Sequence, residues 1–427
     1  MKANAGVAQQ DELVRALGGV VGQDNVASSD ARAAHLPSIV VAPGGHDEVR
    51  ECLGVCAALG AAVIPAGRLT WIECGNPVTR ADVVLTLKRM NRVIDYSPAD
   101  LTCTVEAGVG LSQLNDLARA SGQWLPLDPP GARDATVGAV AACANGGALR
   151  FGFGGIRDYA IGLRLAHADG TDSKAGGRVV KNVAGYDMTK LYLGSYGTLA
   201  VITEVTVKLR PLPQWQATIA IAAQDDASLI DLGARIIRSG VLPASVFFLS
   251  GGFGQLGSSS AKLLVRFVDS AETVDHQVRR VREMLGGGFD GTLLDDESAA
   301  AGWAAVADVD RCEEVALRIS VPISRIGTAL LNASQYNRTA LAADLAMGTI
   351  RVGLEERGFD AVTAVQSLRV KARQLGGHLF VERAPLDVRS RVDVWGDPGA
   401  SARLMKSLKR KFDPTGMLNP GRFLDGI

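Results

Sequence analysis

The chain has 427 residues, 47% of them apolar and 5% aromatic, with 49 glycines, and its 45 basic side chains balance 45 acidic ones. That length exceeds what one hydrophobic core serves, so two or more domains are expected. Zero net charge argues against a nucleic-acid partner, whose footprint is a basic excess. Cys52, Cys56, Cys74, Cys103, Cys143 and Cys312 are scattered without a Cys-x-x-Cys pair, so no metal or iron–sulfur site of the usual spacing is expected. The N-terminal stretch has no apolar signal core and no run is long enough to span a membrane, which makes a reduced, cytoplasmic setting the default.

In chain order, Asp11 to Leu17 reads as a short helix stopped by Gly18-Gly19. Ile39-Val40-Val41 is a short strand, and Val49, Cys52, Leu53 and Cys56 share one apolar helix face. Gly60 ends that helix, Ala61 to Ile64 is a buried strand, and the loop Pro65-Ala66-Gly67-Arg68-Leu69-Thr70 leaves it. Pro65 fixes the exit direction, Gly67 permits a tight bend, and Thr70 offers a hydroxyl. Arg68 reads either as a solvated cation or as a phosphate partner. Strand, helix, strand and glycine-bearing loop form the entry to a nucleotide-binding α/β unit. Strands follow at Val83 to Leu87, around Val93 to Asp95 and at Thr102 to Ala107, then a helix from Leu111 to Gly122. Gly108-x-Gly110 lacks the third glycine of the dinucleotide fingerprint.

Pro129-Pro130-Gly131 stiffens the next loop. Thr136-Val137-Gly138 opens a small-residue helix, Ala139 to Ala144, whose N-terminus is free to meet a pyrophosphate; close packing is the alternative use of such a helix. A glycine turn runs to Arg157-Asp158, and Gly162 to Asp169 is a strand. The densest signals lie between Val179 and Pro211. Gly194-Ser195-Tyr196-Gly197-Thr198 builds either a nest of N–H groups for a phosphate or heterocycle edge, or a plain tight turn under a sheet. Leu199 to Leu209, with Val201 and Ile202, is an apolar, β-branched strand.

Beyond Pro213 the texture changes. Strands at Thr218 to Ile221, Ser245 to Leu249, Lys262 to Val268 and within Glu313 to Val321 alternate with helices at Ala227 to Ile237 and Ala271 to Leu285. This order, βαββαβ, is a ferredoxin-like pattern. Gly286-Gly287-Gly288 and Asp295-Asp296-Glu297 read as flexible loops, and no internal repeat stands out. Ala402 to Phe412 is a helix whose basic residues, Lys409 among them, read as a solvated face. Asn419-Pro420-Gly421-Arg422 is a rigid tail.

The Pro65–Thr70 loop, Pro-Pro-Gly-x-x-x-Ala-Thr-Val-Gly (Pro130, Gly131, Ala135, Thr136 and Gly138 within it), Gly155-x-Arg157-Asp158, the Gly194–Thr198 turn and the Phe-Asp-Pro-x-Gly-x-Leu-Asn-Pro-Gly-Arg tail resemble the vanillyl-alcohol-oxidase, or PCMH-type, FAD enzymes. Within them, Val-Val-Lys-Asn-Val-Ala-Gly-Tyr-Asp from Val179 resembles the FAD-binding E subunit of bacterial glycolate oxidase. The resemblance implies an α+β protein: an N-terminal helical segment (1–34), a two-subdomain FAD-binding domain (35–213), a ferredoxin-like antiparallel-sheet cap (214–400) and a returning C-terminal segment (401–427). It implies non-covalent FAD with its pyrophosphate on the Pro65–Thr70 and Pro130–Gly138 loops. Gly194, Ser195, Gly197, Thr198, Val201 and Ile202 would wall it, with Asn419 and Arg422 nearby. A side chain at Gly138 or Gly197 is expected to fill cofactor space.

Two departures stand out. Arg68-Leu69 occupy a place where the family usually has glycine, and Trp71-Ile72-Glu73-Cys74 is an unusual continuation. The related catalytic subunit's Glu-His-Gly segment has no match, and His378 is the one candidate base, with a packed or solvated histidine as the alternative. The implied activity is hydride transfer from a small 2-hydroxy acid to the flavin. A second FAD subunit and an iron–sulfur subunit would be partners, membrane contact coming only through them. A self-sufficient FAD alcohol oxidase and a flavin-containing assembly subunit are the competing readings.

Overall fold

The computed structural model describes residues 2–28, 39–178, 186–251, 253, 261–286, 288–312, 314–336, 338–354 and 360–427. Three sheets organise them. The first is four-stranded, in the order Val26–Ser28, Ile39–Val41, Val83–Thr86, Val63–Ala66, parallel except for its first pair. Its parallel strands are short Val/Ile/Leu runs, as burial on both faces requires. Helices Lys2–Val21 and His46–Ala58 supply Leu13, Leu17, Val49, Cys52, Leu53 and Cys56 to its core. The first helix passes through Gly18-Gly19 instead of stopping there. Leu13, Leu17 and Val21 recur every fourth residue on the buried face, and that packing outweighs the glycine penalty.

The second sheet is antiparallel and five-stranded: Val93–Ser97, Thr102–Glu106, Val201–Lys208, Ala160–Ala166, Asp172–Gly176. The β-branched run beginning at Val201 is its central strand, and helix Val137–Cys143 packs across that strand.

The third sheet has eight antiparallel strands, in the order Phe289–Leu293, Trp215–Ala223, Lys262–Asp269, Ser245–Gly251, Arg338–Asp344, Thr349–Leu354, Val315–Ser320, His378–Arg383. It is two βαββαβ units edge to edge. The first closes at Phe289–Leu293, so the strand at Val315 does not complete it but opens a second copy, with helices Ile326–Ser334 and Ala361–Gln374. The copies join where Phe247 pairs with Asp344 and Gly251 with Ala340. A repeat is therefore present, contrary to the sequence reading. Its strand Arg338–Asp344, with Ala340, Ala342 and Ala343, carries little β-branched signal. Asp295-Asp296-Glu297 is not a loop but the start of helix Asp296–Cys312, where Asp295 Oδ1 accepts from Ser298 N at 2.7 Å. That helix covers the sheet face opposite the others, packing Trp303, Val306 and Val309 on Phe247, Leu249 and Leu264.

The third sheet docks on the rest through polar contacts. Arg351 Nη2 donates to Gly146 O (2.6 Å), Ser245 Oγ to Ala148 O (2.7 Å) and Gly152 N to Ala244 O (3.1 Å). Asp344 lies buried beside this seam, accepting from Ala346 N and Met347 N at 3.1 Å each. Burial pushes its carboxyl up from 3.8 to about 7, against the opposing pull of those amides, Arg351 and Arg150. The folded protein thus keeps a proton that the unfolded chain has released. The stability this contributes is full below about pH 4 and is lost as pH rises through about 7. Asp344→Asn should flatten the fall of melting temperature between those limits; a melting series with wild-type slope would refute this account.

Candidate functional site

Strand Val63–Ala66 ends at a cavity where the first two sheets meet the C-terminal tail. Of the residues singled out in the sequence, Pro65, Ala66, Gly67, Leu69, Thr70, Thr136, Gly138, Gly197, Val201, Ile202, Asn419 and Arg422 line it. Tyr196 of the Gly194–Thr198 turn lines it too, and Trp71, Ile72, Ala142 and Cys143, which the sequence reading had not placed there, complete much of its wall.

The loop after Ala66 is shaped to receive an acceptor. Leu69 sits at φ +64°, a left-handed conformation that costs a non-glycine residue about 1–2 kcal/mol. Among the described residues no acceptor meets the amides of Arg68, Leu69, Thr70 and Trp71. Trp71 Nε1 is also buried without a partner. Thr70 Oγ1 is spent on Asp134 O (3.1 Å) and the Gly67 carbonyl on Thr86 Oγ1 (2.8 Å), which fixes both ends of the loop. Successive free amides of this kind bind phosphate oxygens.

The helix at Val137 behaves differently from expectation. Val137 N donates to Val109 O, Gly138 N to Ala107 O and Ala139 N to the capping Thr136 Oγ1. Its N-terminus is closed by the protein itself, so it is not free to meet a pyrophosphate. Gly138 is needed for packing: a Cβ there would stand 2.5 Å from Ala107 Cβ and 2.8 Å from its carbonyl oxygen. At Gly197, φ is +65° and a Cβ would stand 3.2 Å from Asn419 Nδ2. Neither Cβ would enter open cofactor space first, and the expectation is corrected to that extent.

The remaining singled-out residues lie around or away from the cavity. Pro130, Gly131 and Ala135 are buried in a loop closed on itself by Ala135 N to Gly131 O (3.1 Å). Arg68 is exposed, beside Gly110. Arg157 donates to Lys190 O (2.9 Å), and Asp158 caps its own short helix by accepting from Gly155 N (2.8 Å). Gly194, Ser195 and Thr198 hold the turn behind the wall, with Thr198 Oγ1 on Ser195 O at 2.7 Å. His378 stands on the edge strand of the third sheet and lines no part of the cavity. Val179 to Gly185 of the Lys-Asn-Val-Ala-Gly-Tyr-Asp motif lies outside the described residues, and Tyr186 is exposed.

The tail closes the site. Lys409 is buried, not solvated: its Nζ reaches Asp413 Oδ2 (2.6 Å), Thr198 O (2.8 Å) and Leu418 O (2.8 Å). Asp413 in turn accepts from Met417 N (3.0 Å) and Leu418 N (2.8 Å). The spacing Lys409…Asp413, one helical turn, was the sequence signal for this pair. Asn419 Nδ2 donates to Tyr196 O (2.7 Å), and its own amide to Val63 O (2.9 Å). Arg422 donates to Ile72 O (2.7 Å), Cys74 O (2.8 Å) and Asn419 Oδ1 (3.2 Å). Burial lowers its guanidinium to about 10 and pushes the Cys143 thiol up to about 12, so neither changes charge near neutrality.

Free amides at one end of an apolar cavity fit a cofactor that is a phosphate at one end and a flat heterocycle at the other. The match to a family model described as an FAD binding domain covers residues 37–176. Glycolate oxidase subunit GlcD of Bacillus subtilis (strain 168) is 27% identical over 91% of this chain and 89% of its own length. Glycolate oxidase subunit GlcE of Escherichia coli (strain K12) is 28% identical over 82% and 88%. Among solved structures, p-cresol methylhydroxylase superposes with a TM-score of 0.78 at 17% identity, covering 97% of this chain and 96% of that one. The fold is thus the PCMH type, FAD is the cofactor, and the protein is an FAD-dependent oxidoreductase.

Removing the Lys409 ammonium leaves Asp413 buried and unpaired, a loss of about 3–5 kcal/mol by the usual cost of breaking buried pairs. Lys409→Met should lower the unfolding free energy by that much in denaturant titration and release FAD on dilution. A variant of wild-type stability that keeps its flavin would show that the pair does not hold the tail.

Proposed function

We propose that this chain is the FAD-carrying part of a dehydrogenase for small 2-hydroxy acids and passes the electrons to an iron–sulfur partner. The observation that carries the reading is the loop of unpaired amides at Leu69, beside an apolar cavity within the stretch that matches an FAD binding domain. Relatives named as glycolate oxidase subunits support both the substrate class and membership of a multi-subunit assembly. No helix among the described residues is long and apolar enough to cross a membrane, which fits membrane contact through partners.

In this reading the amides of Arg68, Leu69 and Thr70 hold the cofactor's phosphates, joined by the indole N–H of Trp71 as a donor in the wall. Ala142, Val201 and Ile202 give the heterocycle a dry bed, and Pro65 and Tyr196 exclude water. Bound there, the isoalloxazine supplies a two-electron acceptor for the C–H bond of the alcohol carbon. Arg422 stays charged and lends a positive field to that end of the cavity.

The test is a visible spectrum of the purified protein, followed by glycolate or D-lactate without air. A yellow protein that bleaches supports the reading, and bleaching followed by reoxidation only with an added iron–sulfur protein or artificial acceptor supports the partner. Rapid turnover with oxygen alone favours a self-sufficient oxidase. A yellow protein that no 2-hydroxy acid bleaches overturns the reading in favour of an assembly role.

A further inference from the structure

Helix Ala402–Phe412 has two unlike sides. Met405, Leu408 and Phe412 share one side and are half-buried, with Lys409 buried beside them. Phe412 stacks on His167 (ring centroids 6.1 Å apart) and meets Tyr192 edge-on (5.7 Å). The other side carries Arg403, Leu404, Lys406, Arg410 and Lys411, all exposed, and the helix contains no acidic residue. At 3.6 residues per turn these five fall on less than half of the circumference.

The stability of the helix does not account for this charge. Cations suit its last turn, where Arg410 and Lys411 stand, but the first turn disfavours them, and Arg403 is there. Arg403 with Lys406, and Lys406 with Arg410, are like charges three and four positions apart, an arrangement that weakens a helix. Asp425 relieves Lys406 at 2.7 Å. Among the described residues no carboxylate lies within ion-pair distance of Arg403, Arg410 or Lys411. Leu404, 64% exposed, stands among them. In a chain of zero net charge, this local excess is kept against the preference of its own helix.

The helix is also tied to the cofactor cavity. Lys409 Nζ donates to Thr198 O and Leu418 O at 2.8 Å each, and the neighbouring residues Gly197 and Asn419 line that cavity. The basic side is separated from this anchor by little more than the thickness of the helix, about 10–12 Å. A helix that lies on a membrane turns its apolar side into the lipid, and here that side is spent on His167 and Tyr192. Eleven residues at a rise of 1.5 Å make a strip about 16 Å long. A strip of that size suits the small contacts of electron-transfer pairs, below about 1,200 Å².

We propose that this side of the helix docks an acidic protein that takes electrons from the flavin, its carboxylates meeting Arg403, Arg410 and Lys411 around Leu404. The proposal rests on the reading that the electrons leave for a protein partner. Two electrons pass singly from the reduced, anionic flavin to two oxidised one-electron centres of the partner, and the one proton released goes to water. Complementary charge speeds the encounter and makes it sensitive to salt.

The experiment uses the full chain with FAD, its flavin reduced by dithionite without air, so that no substrate is needed. Reoxidation is timed with plastocyanin, an acidic copper protein, with cytochrome c, a basic haem protein, and with menadione, an uncharged quinone. The plastocyanin rate should fall steeply as salt is added, and the cytochrome c rate should not. Arg403→Glu combined with Lys411→Glu should keep the FAD content, melting temperature and menadione rate of wild type. Its plastocyanin rate at low salt should drop at least about tenfold, the lower end of electrostatic steering, and lose most of its salt dependence. Equal plastocyanin rates in wild type and variant would remove the docking surface while leaving a protein acceptor in place. Reoxidation by menadione but by neither protein would remove the partner reading and the surface with it. Wild type that binds phosphatidylserine vesicles, in contrast to the variant, with equal plastocyanin rates would assign the helix to a membrane and overturn the proposal. If the plastocyanin results are as expected but no 2-hydroxy acid bleaches the flavin, the docking surface stands and the substrate reading falls.

Discussion

A single buried ammonium ties the cofactor end of this protein together. Lys409 reaches a carboxylate and two backbone carbonyls that belong to the glycine turn and the C-terminal tail. Burying a charge is unfavourable unless every one of its donors finds an acceptor. Lys409 has three donors, and three acceptors surround it. The same economy holds for Asp413, whose two oxygens also take the amides of Met417 and Leu418. The pair therefore allows little choice of tail conformation. From there the tail runs beside strand Val63–Ala66, with Val63 N on Met417 O and Asn419 N on Val63 O. The strand that delivers the phosphate loop is thus braced by residues more than three hundred positions later.

Strain collects where that bracing is strongest. Leu69, Tyr196 and Asn419 all take left-handed backbone conformations, at φ +64°, +54° and +46°, and all three line the cofactor cavity. Each costs on the order of 1–3 kcal/mol and persists only where surroundings fix it. Asn419 tolerates the conformation best, and its amide also holds Tyr196 O. Leu69 has no such compensation in its own side chain. The return on its strain is the row of unpaired amides, and these are the groups the proposed phosphate contact uses.

Much of the fold was legible in the sequence because its first two sheets are written in β-branched residues. Val83 to Leu87, Thr102 to Ala107 and Leu199 to Leu209 read as strands and are strands. The loops at Pro65 and Gly197 and the tail at Asn419 also read as one cofactor region, and they do meet at one cavity. Three things were hidden for physical reasons. Strand Arg338–Asp344 of the second βαββαβ unit is rich in alanine, whose own preference is helical. Helix Asp296–Cys312 begins with an acidic triplet that suits a helix N-terminus as well as a loop. Which backbone amides are spent is decided by tertiary pairing alone: the helix at Val137 and the loop at Leu69 look alike in sequence, yet one is closed by Ala107 and Val109 and the other is open.

The segment Ile72–Cys74 gathers these threads. Its carbonyls are held from two directions, by Arg422 of the tail and by Arg389 of the third sheet's unit. Asn76 adds a third link, accepting from Val394 N at 2.9 Å while its own amide reaches Arg422 O. The segment's position is thus set jointly by the first two sheets with their tail and by the eight-stranded sheet, and its Ile72 lines the cofactor cavity. A shift of one unit against the other must move the wall they share. Bulky residues at Trp71 and Ile72 are compatible with the FAD fold because these guanidiniums fix where they point.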